Sequence, residues 1–202
     1  MSEQTLSAQG YTCRTIQNRG SGTPIVFLHG LSYSAEIWQI IGVTALLAQK
    51  HVPFLALDMP YGMRSHCVPK TRSNEKNVAF ARAAIEGTFG SEAPVLVGAS
   101  IGGHMALLYA AQHPVKGLLL VAPARPFEKG MAESYANFRF PVRIVWGTKD
   151  NIVSGEDMRL LAQKLPNATL VEYEGAQHSA YKEQPDRFKR DLQELHEAAK
   201  QC

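Results

Sequence analysis

Three residues far apart in the chain have the side chains that acyl-transfer chemistry needs: Ser100, Asp150 and His178. A serine hydroxyl is a weak nucleophile until a neighbouring base takes its proton. A histidine serves as that base when a carboxylate fixes its tautomer. Ser100 lies in VLVGASIGGHMAL (95–107), with Gly98 two residues before it and Gly102 two after. A sharp strand-to-helix turn requires small flanks, because the turning residue is strained and its neighbours crowd together. Such a turn raises the hydroxyl above the sheet and places the unpaired, partly positive N–H groups of a helix start beneath it. An idle serine in a tight glycine turn is the competing reading. The apolar run before the turn and Met105, Ala106, Leu107 and Leu108 after it favour the nucleophile. Asp150 follows VRIVWG in the loop GTKDNIV, and His178 follows EYEGAQ in the loop GAQHSAY.

The elements that must bring these residues together are legible as short apolar runs at 24–30, 52–60, 93–100, 117–124, 141–150 and 168–178. These read as buried parallel strands. An alternating run at 11–17 reads as an antiparallel edge strand. Helical patterns occupy 36–49, 74–89, 101–113, 155–165 and 185–199, the last with Pro185 near its start, where a missing N–H costs little. Alternating strands and helices predict one doubly wound α/β sheet spanning residues 1–202 as a single domain. Ligands of such sheets bind beyond the carboxyl ends of the strands, where Ser100, Asp150 and His178 all fall.

Other titratable residues fit less well. His104 is one turn into the helix after Ser100 and reads as packed or solvated. His113 precedes Pro114 in a capping position, His51 lies before its strand, His66 is in a loop no strand end fixes, and His196 is on the last helix. Asp58 ends a strand, but one that precedes the serine turn, and Asp157 falls in a helix's first turn.

Composition excludes several classes. The chain of 202 residues has 45% hydrophobic residues and a net charge of +3. Its Lys and Arg residues are scattered, which argues against a nucleic-acid or membrane surface as partner. Cys13, Cys67 and Cys202 are too few and too unevenly spaced to indicate a disulfide framework or a zinc site. No apolar leader is evident in MSEQTLSAQG, and no run is long enough to cross a bilayer. A soluble, cytoplasmic protein is expected. GASIGG lacks the Gly-x-Gly-x-x-Gly order of a dinucleotide site and lies too late in the chain for one.

Five segments together resemble the α/β-hydrolase superfamily over nearly the whole length: FLHG (27–30), DMPYGMRS (58–65), GASIGG (98–103), GTKD (147–150) and GAQH (175–178). The chain is most similar to small, lidless serine hydrolases of the α/β-hydrolase domain-14 group. The resemblance implies an α/β-hydrolase fold with a mostly parallel sheet of about seven strands, helices on both faces and no lid. Only residues 125–139 separate VAPA from FPVRIVWG, where relatives usually insert a helical lid. The N-terminal antiparallel strands look trimmed. DMPYGMRS departs from the usual Asp-x-Pro-Gly-x-Gly-x-Ser loop at Tyr61 and Arg64.

These readings predict hydrolysis of a small carboxylic ester or thioester through an acyl-enzyme. Ser100 attacks, His178 moves the proton and Asp150 orients the imidazole. The backbone N–H groups of Leu31 and Ile101 hold the oxyanion. His29, Gly30, Gly98 and Gly102 support the loops, with His29 bracing and Gly30 letting backbone approach substrate. Tyr33, Tyr61, Met63, Phe127, Ile152 and Tyr181 are the candidate pocket walls. No metal or organic cofactor is implied, the partner is a small acyl substrate, and oligomeric state is not readable. The same triad serves acyltransferases and deacetylases, and a binding protein could keep the fold without turnover.

Overall fold

The structure is a computed structural model describing residues 1–201. Cys202 lies outside the described residues. The chain begins with a hairpin, β1 (Ser2–Ala8) and β2 (Tyr11–Asn18). Its two-residue turn has φ of 53° at Gln9 and 77° at Gly10. Two positive values in succession match the turn type whose twist suits paired strands. The chain then runs through β3 (Ile25–Leu28), α1 (Ile37–Ile40), α2 (Val43–Gln49), β4 (Phe54–Leu57), β5 (Cys67–Val68) and α3 (Asn74–Phe89). It continues through β6 (Val95–Ala99), α4 (Ile101–Ala110), β7 (Gly117–Val121), α5 (Ala132–Tyr135) and β8 (Val142–Gly147). The last elements are α6 (Gly155–Lys164), β9 (Ala168–Tyr173), α7 (Ala180–Glu183) and α8 (Pro185–Ala199).

The strands form one sheet in the order β1-β2-β4-β3-β6-β7-β8-β9, with β5 paired to β2. From β4 to β9 every pairing is parallel, and the pairings of β2 are antiparallel. Among the described residues, nine strands replace the seven or so expected. The two extra are β1, whose polar residues are mostly exposed and carry little apolar signal, and β5, which is only two residues long. The N-terminal hairpin is therefore present rather than trimmed away. The expected helix at 36–49 is split into α1 and α2 at Gly42, whose φ of 76° is left-handed and cannot continue a right-handed helix.

Strand periodicity sends successive side chains to opposite faces. Val26 and Leu28 join a core with Val78 and Phe80 of α3, Met105 and Leu107 of α4, and Met158 and Leu161 of α6. Ile25 and Phe27 join the other core with Ile37 and Trp38 of α1, Leu47 of α2, and Phe188 and Leu192 of α8. Both cores are apolar, which is why β3, β4, β6 and β7 are buried at every position. Residues 125–139 hold only the single turn α5, with Met131, Tyr135 and Phe138 buried against the first core. They form no lid.

One cysteine expectation is corrected. Cys13 and Cys67 are register partners across β2 and β5 and form a disulfide. They are 54 residues apart in sequence, and only the pairing of so short a strand as β5 brings them together.

Candidate active site

The β6–α4 junction is where the backbone is forced. Ser100 has φ 53° and ψ −115°, which a residue with a side chain rarely adopts. Its N–H is held by Val121 O and its carbonyl accepts from the His104 and Ala124 amides. The flanking glycines are sterically required. A Cβ on Gly98 would lie 2.4 Å from Gly102 O, and one on Gly102 would lie 2.1 Å from Leu28 O. The elbow is thus pressed against β3 and cannot tolerate a methyl on either side.

Asp150 and His178 sit beyond the ends of β8 and β9. His178 Nδ1 and Asp150 Oδ2 are 2.8 Å apart, with the carboxylate fully shielded from solvent and the imidazole largely so. The other carboxylate oxygen, Oδ1, accepts from the backbone N–H groups of Ile152 and Val153 at 2.8 and 3.0 Å. Burial pushes the Asp150 pKa up, but the hydrogen bonds from His178, Val153 and Ile152 outweigh it and hold the carboxyl below its ordinary value. An ionised Asp150 is acceptor-only, so Nδ1 of His178 carries the proton and Nε2 is left free to accept one. The loop that carries His178 is drawn in by bonds from Thr148 N to Tyr173 O and from Lys149 N to Ala176 O. Gly147 permits that approach, since a Cβ there would lie 2.3 Å from Gln177 O.

The loop after β3 lies beside both the Ser100 turn and the segment after His178. A Cβ on Gly30 would sit 3.8 Å from Ser100 Cβ and 3.5 Å from a Tyr33 ring carbon. Tyr33 Oη in turn lies 3.1 Å from Oγ of Ser179, the neighbour of His178. Among the described residues the Ser100 hydroxyl has no hydrogen-bond partner, so the serine and imidazole are not bonded in this structure. In enzymes without substrate such contacts are often long and tighten on binding. Nor do the Leu31 and Ile101 amides donate to any acceptor among the described residues.

The loop after β3 is braced from beneath. His29 is fully buried. Its Nδ1 donates to Gly30 O at 2.8 Å, and its Nε2 accepts from Met59 N at 3.0 Å. Both ring nitrogens are committed to backbone. Burial is the main cause that lowers its pKa to about 4, so the ring stays neutral. Asp58, passed over as a candidate acid, ties three segments together. It accepts from Ala35 N at 2.6 Å, Arg14 Nε at 2.9 Å and His66 N at 2.8 Å.

Two candidate pocket walls are corrected. Tyr61 is buried and its hydroxyl donates to His29 O, so it braces the loop rather than facing substrate. Tyr181 is buried between Trp38 and Phe188. Among the described residues Gly30 meets only ordinary contacts, and none of them forbids a methyl there. Met63 and Ile152 are exposed, at 72% and 70%, and Met63 N bonds Leu31 O, which puts it on the rim. Phe127 is half-buried beside Arg125 and Glu128 on an open cleft. His104 is buried with Nε2 at 3.2 Å from Glu128 and from Asn74, His196 Nε2 bonds Thr23 O, and His113 lies edge-on to Tyr109.

Known proteins resemble this chain in sequence and in fold. A family model described as the alpha/beta hydrolase family matches residues 25–143. Protein ABHD14A of Danio rerio is 31% identical over 83% of this chain and 62% of its own length. The chain spans less than two thirds of the ABHD14A relatives from Danio rerio and Homo sapiens. ABHD14B of Rattus norvegicus, named as a candidate protein-lysine deacylase, is 29% identical over 93% of this chain and 92% of its own. A CIB-like hydrolase from Thermoplasma acidophilum superposes with a TM-score of 0.86 at 23% identity, covering 97% of this chain and 98% of the other. The forced serine turn, the carboxylate–imidazole pair and the matched family place this sequence together: the chain belongs to the alpha/beta hydrolase family.

Proposed function

We propose that the protein is a serine hydrolase that cleaves small or exposed acyl esters and thioesters through an acyl-enzyme on Ser100. The observation that carries this reading is the 2.8 Å bond between Asp150 and His178, at the same sheet edge as a serine in a positive-φ elbow. His178 Nε2 takes the Ser100 proton as Oγ attacks the carbonyl. The leaving alcohol or thiol receives that proton. Water, deprotonated by His178, then attacks the ester and frees Ser100. The oxyanion is held by the Leu31 and Ile101 amides, and the loss of one such donor typically costs about 3 to 4 kcal/mol at the transition state.

The short 125–139 connection leaves the cleft uncovered, which suits short or exposed acyl groups over long lipids. An acyl-lysine amide is a second reading, favoured by the name of the ABHD14B relative and by the same open mouth. Location is part of the proposal. No helix among the described residues is long and apolar enough to cross a membrane. The Cys13–Cys67 disulfide is a bond typical of oxidising compartments and weighs against the cytoplasmic expectation. A panel of short and long p-nitrophenyl esters, acyl thioesters and acyl-lysine peptides, run on the parent and on Ser100→Ala, tests the reading. Turnover of a short ester or thioester that vanishes in Ser100→Ala supports it. Equal turnover in both proteins, or a strong preference for long chains, contradicts it.

A further inference from the structure

Ser179 precedes α7 at the position where a serine normally turns its hydroxyl onto the helix's own N–H groups. Here it makes no such cap, although its carbonyl accepts from the Lys182 and Glu183 amides. The hydroxyl is turned instead onto Tyr33 Oη, 3.1 Å away and 146 residues distant in sequence. Tyr33 is held at its ring as well. It packs edge-on to buried Tyr181 at 6.4 Å, and Lys182 Nζ lies 5.8 Å from the ring centroid. The ring also borders Gly30, next to Ser100. A single side chain therefore spans from the nucleophile's edge to the residue after the base.

We infer that Tyr33 is a positioning residue for His178, acting through Ser179. The inference rests on the triad reading above. Among the described residues the Asp150 bond is the one hydrogen bond that fixes the imidazole, at Nδ1. A ring held at one atom can still swing with its loop. The Tyr33–Ser179 bond ties that loop to the segment that presents Leu31, so the base and the oxyanion donors keep their spacing.

The test uses Tyr33→Phe, Ser179→Ala, the double variant and Ser179→Thr, with p-nitrophenyl acetate as substrate. Tyr33→Phe keeps the ring and its packing. A single hydrogen bond of ordinary strength corresponds to a roughly two- to tenfold fall in kcat in each single variant. KM is expected to hold, the double variant to be no worse than either single, and Ser179→Thr to recover the parent kcat. Additive losses, a rise in KM with kcat unchanged, or no change would overturn the inference. Amide hydrogen exchange of Lys182 and Glu183 reads the strap without turnover: faster exchange in Tyr33→Phe supports it and unchanged exchange overturns it. Fluorophosphonate labelling of the parent is run alongside. An unlabelled parent sinks the triad reading, and the exchange result then decides the strap alone.

Discussion

Asp150→Asn separates orientation from packing at the site. The substitution is nearly isosteric, and the structure fixes how the new amide must sit. Ile152 N and Val153 N both point at Oδ1, so the asparagine oxygen has to face them. The NH2 group then faces His178 Nδ1, where Oδ2 was. An NH2 can only donate, so Nδ1 must accept and the imidazole proton moves to Nε2. A protonated Nε2 cannot take a proton from Ser100. In serine hydrolases this tautomer error costs about four orders of magnitude in kcat, or about 5.4 kcal/mol of transition-state energy. Two of the three carboxylate bonds survive, so the fold should lose no more than about 2 kcal/mol. The assay is kcat for a short p-nitrophenyl ester at pH 7, with urea unfolding as the control. A kcat within tenfold of the parent, in a folded variant, would refute the argument that Asp150 selects the tautomer.

Gly102→Ala should cost about 3 kcal/mol or more of stability and abolish turnover, because its Cβ would sit 2.1 Å from Leu28 O. Gly87→Ala in α3, where nothing lies within 4 Å, should stabilise by about 1 kcal/mol, and urea melts of both check the pair. Stability should fall on acidification. The unfolded His29 binds its proton near 6.5 while the folded one resists to about 4. That single group removes about 3 kcal/mol as pH drops through this window. His104 and His196, lowered by burial, act in the same direction, so a flat unfolding free energy between pH 7 and 4.5 contradicts the placement of these imidazoles. Tyr61→Phe should leave KM for short esters unchanged while lowering kcat, since its hydroxyl holds His29 O and not substrate; a raised KM would return Tyr61 to the pocket wall.

The parallel core was readable because β3, β4, β6 and β7 are buried on both faces and so leave unbroken apolar runs. The turn at Ser100 was readable because the steric demands on Gly98 and Gly102 admit no other residue. What escaped the sequence depends on distant partners. Asp58 looks like any strand-end acid until Arg14, Ala35 and His66 converge on it. Tyr61 and Tyr181 resemble pocket aromatics, yet one braces a loop and the other fills a core. Gly147 carries no local signal, because its need for a missing side chain comes from Gln177, on the far side of α6 and β9. Cys13 and Cys67 meet only through a two-residue strand.

The central claim is that Ser100 is made nucleophilic by His178. Mass mapping of a fluorophosphonate adduct on the folded protein tests it most directly, with His178→Ala alongside the parent. The account predicts one adduct, on Ser100 in the parent, formed at least a thousandfold more slowly in His178→Ala, on the order seen when a triad base is removed. An adduct on another residue, or equal labelling of Ser100 in both proteins, would contradict it.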